Sequence, residues 1–366
     1  MNVILACSAT GGHIYPALAI AEKISRKDPE GKILFIVTPS ETFADSVAEY
    51  GYEVAYIDVR GIRRKKIIEN LRLIKDMAIS SKQIKGIFKG FNPDLVIGTG
   101  GYVSGYVVRA ACKAGIPAFL HEQNVVPGLS NRLSERYVKK VFVAFPECRE
   151  HFKDKDKVVF SGNPVRRAFI TAGAADYRGK MGISPKATVL LAFGGSQGAE
   201  RLNEAMTEAL DILQDEEHLE VFFITGRYLY ESAMERLSAA GLDRKPNYHV
   251  MDYCENIHEY YAAADLIIGR SGAITVSEIA VCGKASILVP SPNVTGDHQY
   301  FNAKTLADKG AAIIIREEGL TGRRLADEVK RLMRNKATLN RMSEAAAAQG
   351  RIDVTDVIYD HIKGFE

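Results

Sequence analysis

The chain has 366 residues, of which 46% are apolar and 25% charged, with a formal net charge of +3. That length suits two domains with sizeable cores, and the charge is too small to point to nucleic acid. No apolar run approaches the ~18 residues that span a bilayer, so any membrane contact is expected to be peripheral.

The chain opens on an apolar strand without a basic n-region or cleavage site, so no secretion leader is expected. Cys7, Cys112, Cys148, Cys254 and Cys282 are scattered and form no Cys-x-x-Cys pair. They predict reduced thiols in a cytosolic protein. Short apolar runs then alternate with helical patterns. Residues 3–6, 33–37, 54–57, 95–97, 118–120, 141–144 and 158–160 predict the strands of a first half. Residues 189–193, 221–224, 249–251, 266–268, 286–289 and 312–315 predict those of a second. Their near-continuous Val/Ile/Leu content suits strands buried on both faces, as in parallel sheets. Helical patterns at 16–24, 103–113, 199–213, 273–281 and 299–309 alternate with them, which predicts two doubly wound α/β units.

Ser161-Gly162-Asn163-Pro164 ends one strand series in turn residues, placing a boundary between domains 1–163 and 164–350. A last helical stretch, 352–362, is able to pack back on either domain, the first included. Residues 60–91 have another character. Ten Lys or Arg (60, 63–66, 72, 75, 82, 85 and 89) face only Glu69 and Asp76. Ile67, Leu71 and Ile74 recur at helical spacing, as do Ile84, Ile87 and Phe91. Such a segment either packs its stripe on a sheet or rests on an anionic membrane surface.

Glycine-rich turns follow several strands: Thr10-Gly11-Gly12-His13, Gly98-Thr99-Gly100-Gly101-Tyr102, and Gly194-Gly195-Ser196-Gln197-Gly198. Glycine permits close backbone approach to a ligand, and open α/β sheets bind ligands at the carboxyl ends of their strands. Ser271-Gly272 makes a further turn between a strand and a helix. It reads as an ordinary junction or as an anion site at a helix N-terminus. Glu278, within the next two turns, is suited to a sugar diol beside that anion. Together these turns predict a polar cleft between the domains. No Gly-x-x-x-x-Gly-Lys-Ser/Thr occurs, and Gly98-x-Gly100 is not completed by a third glycine, so phosphate-loop kinases and nicotinamide dehydrogenases are disfavoured. Asp154-Lys155-Asp156 is interleaved with lysines and reads as a solvated turn rather than a metal clamp. No His/Cys set has zinc spacing.

The loops named above, with His121-Glu122-Gln123-Asn124, Gly162-Asn163-Pro164-Val165-Arg166, Phe193–Ala199, Arg270-Ser271-Gly272-Ala273, Ser277-Glu278, Asp297-His298-Gln299 and Asn302-Ala303, occur in the order found in one family. In this combination, over almost the whole chain, the sequence resembles the MurG N-acetylglucosaminyltransferases. That family usually reads Gly-Gly-Thr-Gly-Gly-His in the first loop. Here Ser8-Ala9 replaces the first two glycines, and since both are small the turn is expected to survive.

The resemblance implies a GT-B fold, two Rossmann-like domains with a cleft between them. It implies inverting, metal-independent transfer of N-acetylglucosamine from UDP-N-acetylglucosamine to the 4-hydroxyl of the muramyl sugar of lipid I, an undecaprenyl-linked acceptor, forming lipid II for peptidoglycan. No cofactor and no metal are expected. The expected location is peripheral, on the cytoplasmic face of a bacterial cell membrane, with cell-wall synthesis proteins as possible partners. A UDP-N-acetylglucosamine 2-epimerase, which shares the fold and the donor, and a non-catalytic sugar-nucleotide sensor remain as alternatives.

The implied donor-binding residues are Thr10, Gly11, Gly12, Asn124, Arg166, Ser196, Cys254, Ala273, Ile274, Thr275, Val276, Ser277, Glu278, His298 and Gln299. Glu278 matches the ribose carboxylate, Gln299 the donor-sugar contact, and Cys254 a position near the uracil. Ser196 is also readable as a helix N-cap. Without a metal, backbone N–H groups and a helix terminus must stabilise the departing diphosphate, with Ser196 and the Ser271–Ala273 turn as candidates. His13 is the candidate general base, since imidazole titrates near neutrality. Glu122 is either an alternative base or a structural partner.

Overall fold

The computed structural model describes residues 1–8, 10–39, 44–59 and 80–365. The chain divides into two compact units. Unit 1 comprises Met1–Arg166 with Asp353–Glu366, and unit 2 comprises Arg167–Ile352.

Unit 1 is built on a seven-stranded sheet of β1 (Asn2–Cys7), β2 (Lys32–Val37), β3 (Glu53–Tyr56), β4 (Leu95–Gly100), β5 (Ala118–Glu122), β6 (Lys140–Val143) and β7 (Val158–Phe160), in the order β3-β2-β1-β4-β5-β6-β7. Every pairing is parallel, with Val3 opposite both Ile33 and Leu95 at the centre. Parallel strands need crossovers, and the intervening helices cover both faces. One face packs Leu5, Phe35, Ile97 and Phe142 against Ile14 and Leu18, and the other packs Ile4, Ile36 and Val96 against Val103 and Val107. This double burial explains why the central strands β1, β2 and β4 read as near-continuous apolar runs, whereas the edge strands β3 and β7 have no buried residue.

The helix Val354–Ile362 settles on the first of these faces. Val354, Ile358 and Ile362 are buried there, and Lys23 pairs with Asp356. Phe365 meets Phe119 edge-on at 5.3 Å.

Unit 2 carries a six-stranded parallel sheet of β8 (Thr188–Phe193), β9 (Leu219–Ile224), β10 (Tyr248–Met251), β11 (Leu266–Gly269), β12 (Ala285–Leu288) and β13 (Ala312–Ile314). Its order is β10-β9-β8-β11-β12-β13. In each sheet the chain runs outward from the first strand, then returns to start a new series on that strand's other side. The reversal lies between β1 and β4 in unit 1, and between β8 and β11 in unit 2. Crossovers leave on opposite faces there, opening a crevice at the carboxyl ends of the two strands.

Two expectations about local structure change. The helix expected from residue 16 begins at Gly11 and runs to Lys27, with Thr10 as its N-cap and Pro16 inside it. Gly11, Gly12 and His13 are therefore its first turn rather than a loop. Similarly, β4 passes directly into the helix Gly101–Lys113 without an intervening loop, through Gly100 and Gly101 at φ 118° and 79°.

The basic segment at 60–79 lies outside the described residues. Residues 80–91 form a helix whose Ile84 and Phe88 are buried in the core, with Ile87 and Phe91 packed against it. Lys82, Lys85 and Lys89 are exposed. This part of the stripe therefore serves the sheet and is not presented to a membrane.

Candidate functional site

At the unit 1 reversal, β1 and β4 are tied where they end. The Ser8 N–H donates to the Gly100 carbonyl at 3.1 Å, and Thr99 Oγ1 donates to the His13 carbonyl at 2.9 Å. A Cβ on Gly101 would overlap the Ser8 side chain, so Gly101 makes room for the serine that replaces a glycine in the first loop. A Cβ on Gly100 would lie 2.9 Å from His13 Nδ1 and Cε1. The imidazole is thus seated on bare backbone at the head of its helix, a placement that excludes any larger residue at position 100.

Next to it is a buried polar network. His121 is fully buried, and burial pushes its pKa down to about 4. The ring is therefore neutral near pH 7. Its Nε2 faces the Gly162 carbonyl at 2.9 Å, which only accepts, so Nε2 carries the proton. Nδ1 then accepts from Gln123 Nε2 at 3.1 Å. Gln123 also donates to the Thr99 carbonyl at 2.7 Å, and Asn163 Nδ2 donates to the Gln123 carbonyl at 3.1 Å. The Gly162-Asn163 turn, β5 and the β4 terminus are thereby one hydrogen-bonded body.

Glu122 has a different job from the base considered above. Its carboxylate is 2% exposed and accepts four hydrogen bonds. They come from the Asn124 N–H (2.9 Å), Asn124 Nδ2 (3.3 Å), the Gly128 N–H (3.0 Å) and Asn131 Nδ2 (2.8 Å). An ionised carboxylate has about four acceptor positions, so none remains for a substrate proton. Glu122 anchors the loop 123–128 and the first turn of the helix Leu129–Ser134, and orients Asn124; the geometry does not support it as a base. Arg166 lies over the Tyr15 ring at 4.8 Å, placing it beside the helix that carries His13.

In unit 2, Ser196 is exposed in the loop after β8. The N-cap of the following helix, Glu200–Leu213, is Ala199, so Ser196 does not fill that structural role. Gly198 and Gly226, at φ 80° and 89°, bring the loops after β8 and β9 into backbone contact, and a Cβ on either would overlap the other loop. Asn203 Nδ2 secures the pair by donating to the Thr225 carbonyl at 2.8 Å.

On the other side of the reversal, β11 ends at Gly269 and the helix Ala273–Cys282 begins after a Gly272 N-cap that contributes no side-chain bond. The first N–H groups of any helix lack intrahelical acceptors and form the positive end of its dipole. Ser271 is fully buried at this turn, and its Oγ has no hydrogen-bond partner among the described residues. Ile274, Thr275 and Glu278 share one helix face at i, i+1 and i+4. Glu278 is buried, and Tyr261 Oη donates to its Oε2 at 3.4 Å. Val276 is buried in the core, and Ser277 Oγ donates back to the Ala273 carbonyl at 3.0 Å.

Asn302 joins two motifs that are far apart in sequence. Its Nδ2 donates to the Ser271 carbonyl at 3.4 Å. This carries the helix His298–Ala307 to the Ser271 turn. On that helix Gln299 Oε1 accepts from the Ser291 N–H at 2.9 Å, leaving the amide nitrogen as its donor end. His298 Nδ1 faces the Thr295 carbonyl at 3.0 Å, so Nδ1 holds the proton in the neutral ring.

Cys254 follows β10, the edge strand, which is three strand spacings from β11, roughly 14 Å. Tyr261, Asn302, Ser271 and Arg270 complete the arrangement. The strand–Ser-Gly–helix pattern marks the turn containing Arg270 and Ser271, and the Asn302-Ala303 motif marks Asn302; nothing local singles out Tyr261. Among the described residues no group of three His, Cys, Asp or Glu is placed to hold a metal ion. Asp154 instead caps its own turn by accepting from the Asp156 N–H at 3.2 Å.

Comparison with known proteins bears directly on these features. Residues 3–143 match the glycosyltransferase family 28 N-terminal domain, and residues 189–358 match its C-terminal domain. The UDP-N-acetylglucosamine--N-acetylmuramyl-(pentapeptide) pyrophosphoryl-undecaprenol N-acetylglucosamine transferase of Thermoanaerobacter sp. (strain X514) is 40% identical over 99% of both chains. The chain belongs to the MurG family. The crystal structure of Acinetobacter baumannii MurG, 31% identical, superposes with a TM-score of 0.79 over 99% of each chain. The two parallel-sheet units are accordingly those of the GT-B fold found in the MurG family. A UDP-GlcNAc 2-epimerase from Neisseria meningitidis is 14% identical, with a TM-score of 0.73 over the full length of both chains, and shares the fold alone.

Proposed function

We propose that this protein transfers N-acetylglucosamine from UDP-N-acetylglucosamine to lipid I, by inversion and without a metal. The observation that carries the reading is the Ser271 turn. There a fully buried hydroxyl, without a partner among the described residues, and a helix N-terminus lie at the β8/β11 reversal, and Asn302 ties the His298–Gln299 motif to the same spot. A diphosphate is the ligand this chemistry favours. Fixed N–H dipoles stabilise the charge that accumulates on UDP as it leaves, without reorganisation during the reaction. The Ser196 loop lies across the reversal from that turn and supplies further small-residue backbone.

In this reading unit 2 holds the donor. Glu278 accepts from the ribose diol, with Tyr261 fixing one carboxylate oxygen. Gln299 donates to a donor-sugar hydroxyl and His298 accepts from one. Cys254, displaced toward β10, is on the base side. In unit 1, His13 takes the proton of the acceptor's 4-hydroxyl, while Thr10, Gly11, Gly12, Asn124 and Arg166 complete the ligand contacts. His121, Gln123 and Glu122 hold those groups in place without reacting.

The acceptor is a membrane lipid, so the protein works at the cytoplasmic leaflet. Among the described residues no helix is long and apolar enough to cross a membrane. Attachment through the basic 60–79 segment predicts flotation with anionic vesicles at low salt and none at high salt.

The deciding experiment incubates the protein with UDP-N-acetylglucosamine, with and without a lipid I analogue. Lipid-dependent UDP release with a disaccharide product is expected. Epimerised sugar formed without lipid supports an epimerase instead, and binding without product a sensor.

A further inference from the structure

Two adjacent residues after β13 reach different parts of unit 2. Glu317 pairs with Arg270 Nη2, and both side chains are largely buried, at 15% and 14% exposure. Arg270 Nη1 also donates to the Val289 and Pro290 carbonyls at 3.2 and 3.3 Å. Arg270 is the residue immediately before the Ser271 turn, so this pairing braces the turn against the exits of β12 and β13.

Arg316 turns to the other element. Its Nη2 lies 3.2 Å from Asp297 Oδ2, and its guanidinium carbon lies over the Tyr300 ring, 3.8 Å from the centroid. Asp297 is the N-cap of the helix His298–Ala307 and has φ 51°, ψ 30°. Gly296 before it is also left-handed, at φ 67°, ψ 25°. A non-glycine residue holds that conformation only when its surroundings impose it. The ion pair and the cation–ring contact restrain the backbone on either side of His298 and Gln299.

We propose that Arg316 and Glu317 are positioning residues that set the two halves of the donor site through separate contacts: Glu317, through Arg270, the diphosphate turn, and Arg316 the turn that presents His298 and Gln299 to the sugar. This rests on the donor site proposed above. Neither residue needs to touch the ligand. A planar guanidinium is required at 316 because it satisfies the carboxylate and the ring together, which an ammonium does not.

The test is calorimetric titration of the full chain with UDP and, separately, with UDP-N-acetylglucosamine. Arg316→Ala is expected to weaken UDP-N-acetylglucosamine about tenfold and leave UDP unchanged, while Glu317→Gln weakens both about tenfold, since small displacements of a binding group carry penalties of this order or larger. Arg316→Lys falls between wild type and Arg316→Ala for the sugar nucleotide. Equal weakening of both ligands by Arg316→Ala, or no effect on either, overturns the assignment. Arg316 is half-exposed, so its variant decides the matter even if Glu317→Gln does not fold. Absence of UDP binding by the wild-type chain sinks the donor site itself, and the positioning roles with it.

Discussion

His121 offers the most quantitative check on the unit 1 network. In the unfolded chain its pKa is about 6.5; in the folded protein burial lowers it to about 4. As pH falls below 6.5 the unfolded chain binds a proton that the native state refuses. Stability is therefore fully present above that value, falls as pH drops, and stops falling once the native ring protonates. Each pKa unit is worth about 1.4 kcal/mol, so this group alone removes about 2 kcal/mol between pH 7 and pH 5, and about 3 by pH 4. Other groups titrate in the same range, so the comparison is with His121→Gln, which retains a donor for the Gly162 carbonyl but does not ionise. Urea unfolding of both proteins from pH 7.5 to 4.5 is expected to show the wild type losing its advantage progressively below pH 6.5. A pH-independent difference, or an imidazole NMR resonance from His121 titrating near 6.5, refutes the buried neutral tautomer.

Three further outcomes follow from the geometry. Glu278→Ala should raise the donor KM roughly ten- to a hundredfold, the loss expected for charge-assisted hydrogen bonds; an unchanged KM in a steady-state assay removes its ribose role. His13→Ala should lower kcat by about 10²–10⁴-fold with little change in donor binding, as for a lost general base. A drop of only a few-fold would assign His13 to loop architecture on Gly100. Gly226→Ala places a methyl group against Gly198 at a left-handed φ. It should lower the thermal stability of the chain and weaken UDP binding, and a variant that melts and binds like wild type contradicts the close approach of the two loops.

The sequence by itself determined where the strands lie, because a strand covered on both faces must be apolar along its whole length. It also marked the Ser271-Gly272 turn and placed Glu278 near it, since strand, small turn and helix are contiguous there. Its readings of 11–13 and 98–101 as loops failed for a local reason: glycine suggests a turn, yet here it serves helix and strand ends that approach another backbone. The tertiary structure decided what depends on distant partners. Burial across the whole sheet put β1 beside β4 and β8 beside β11, and those neighbours create the crevices. Asn302 met Ser271 across 31 residues. The last helix chose unit 1 because Val354, Ile358 and Ile362 found an apolar face there and Lys23 found Asp356. Glu122 is the clearest case. As a letter in His121-Glu122-Gln123-Asn124 it is equally a base or a strut, and only the four donors folded around its carboxylate make it the strut. Apolar patterning is a property of each segment alone, whereas the protonation and availability of a polar group depend on which neighbours the folded chain brings within hydrogen-bond reach.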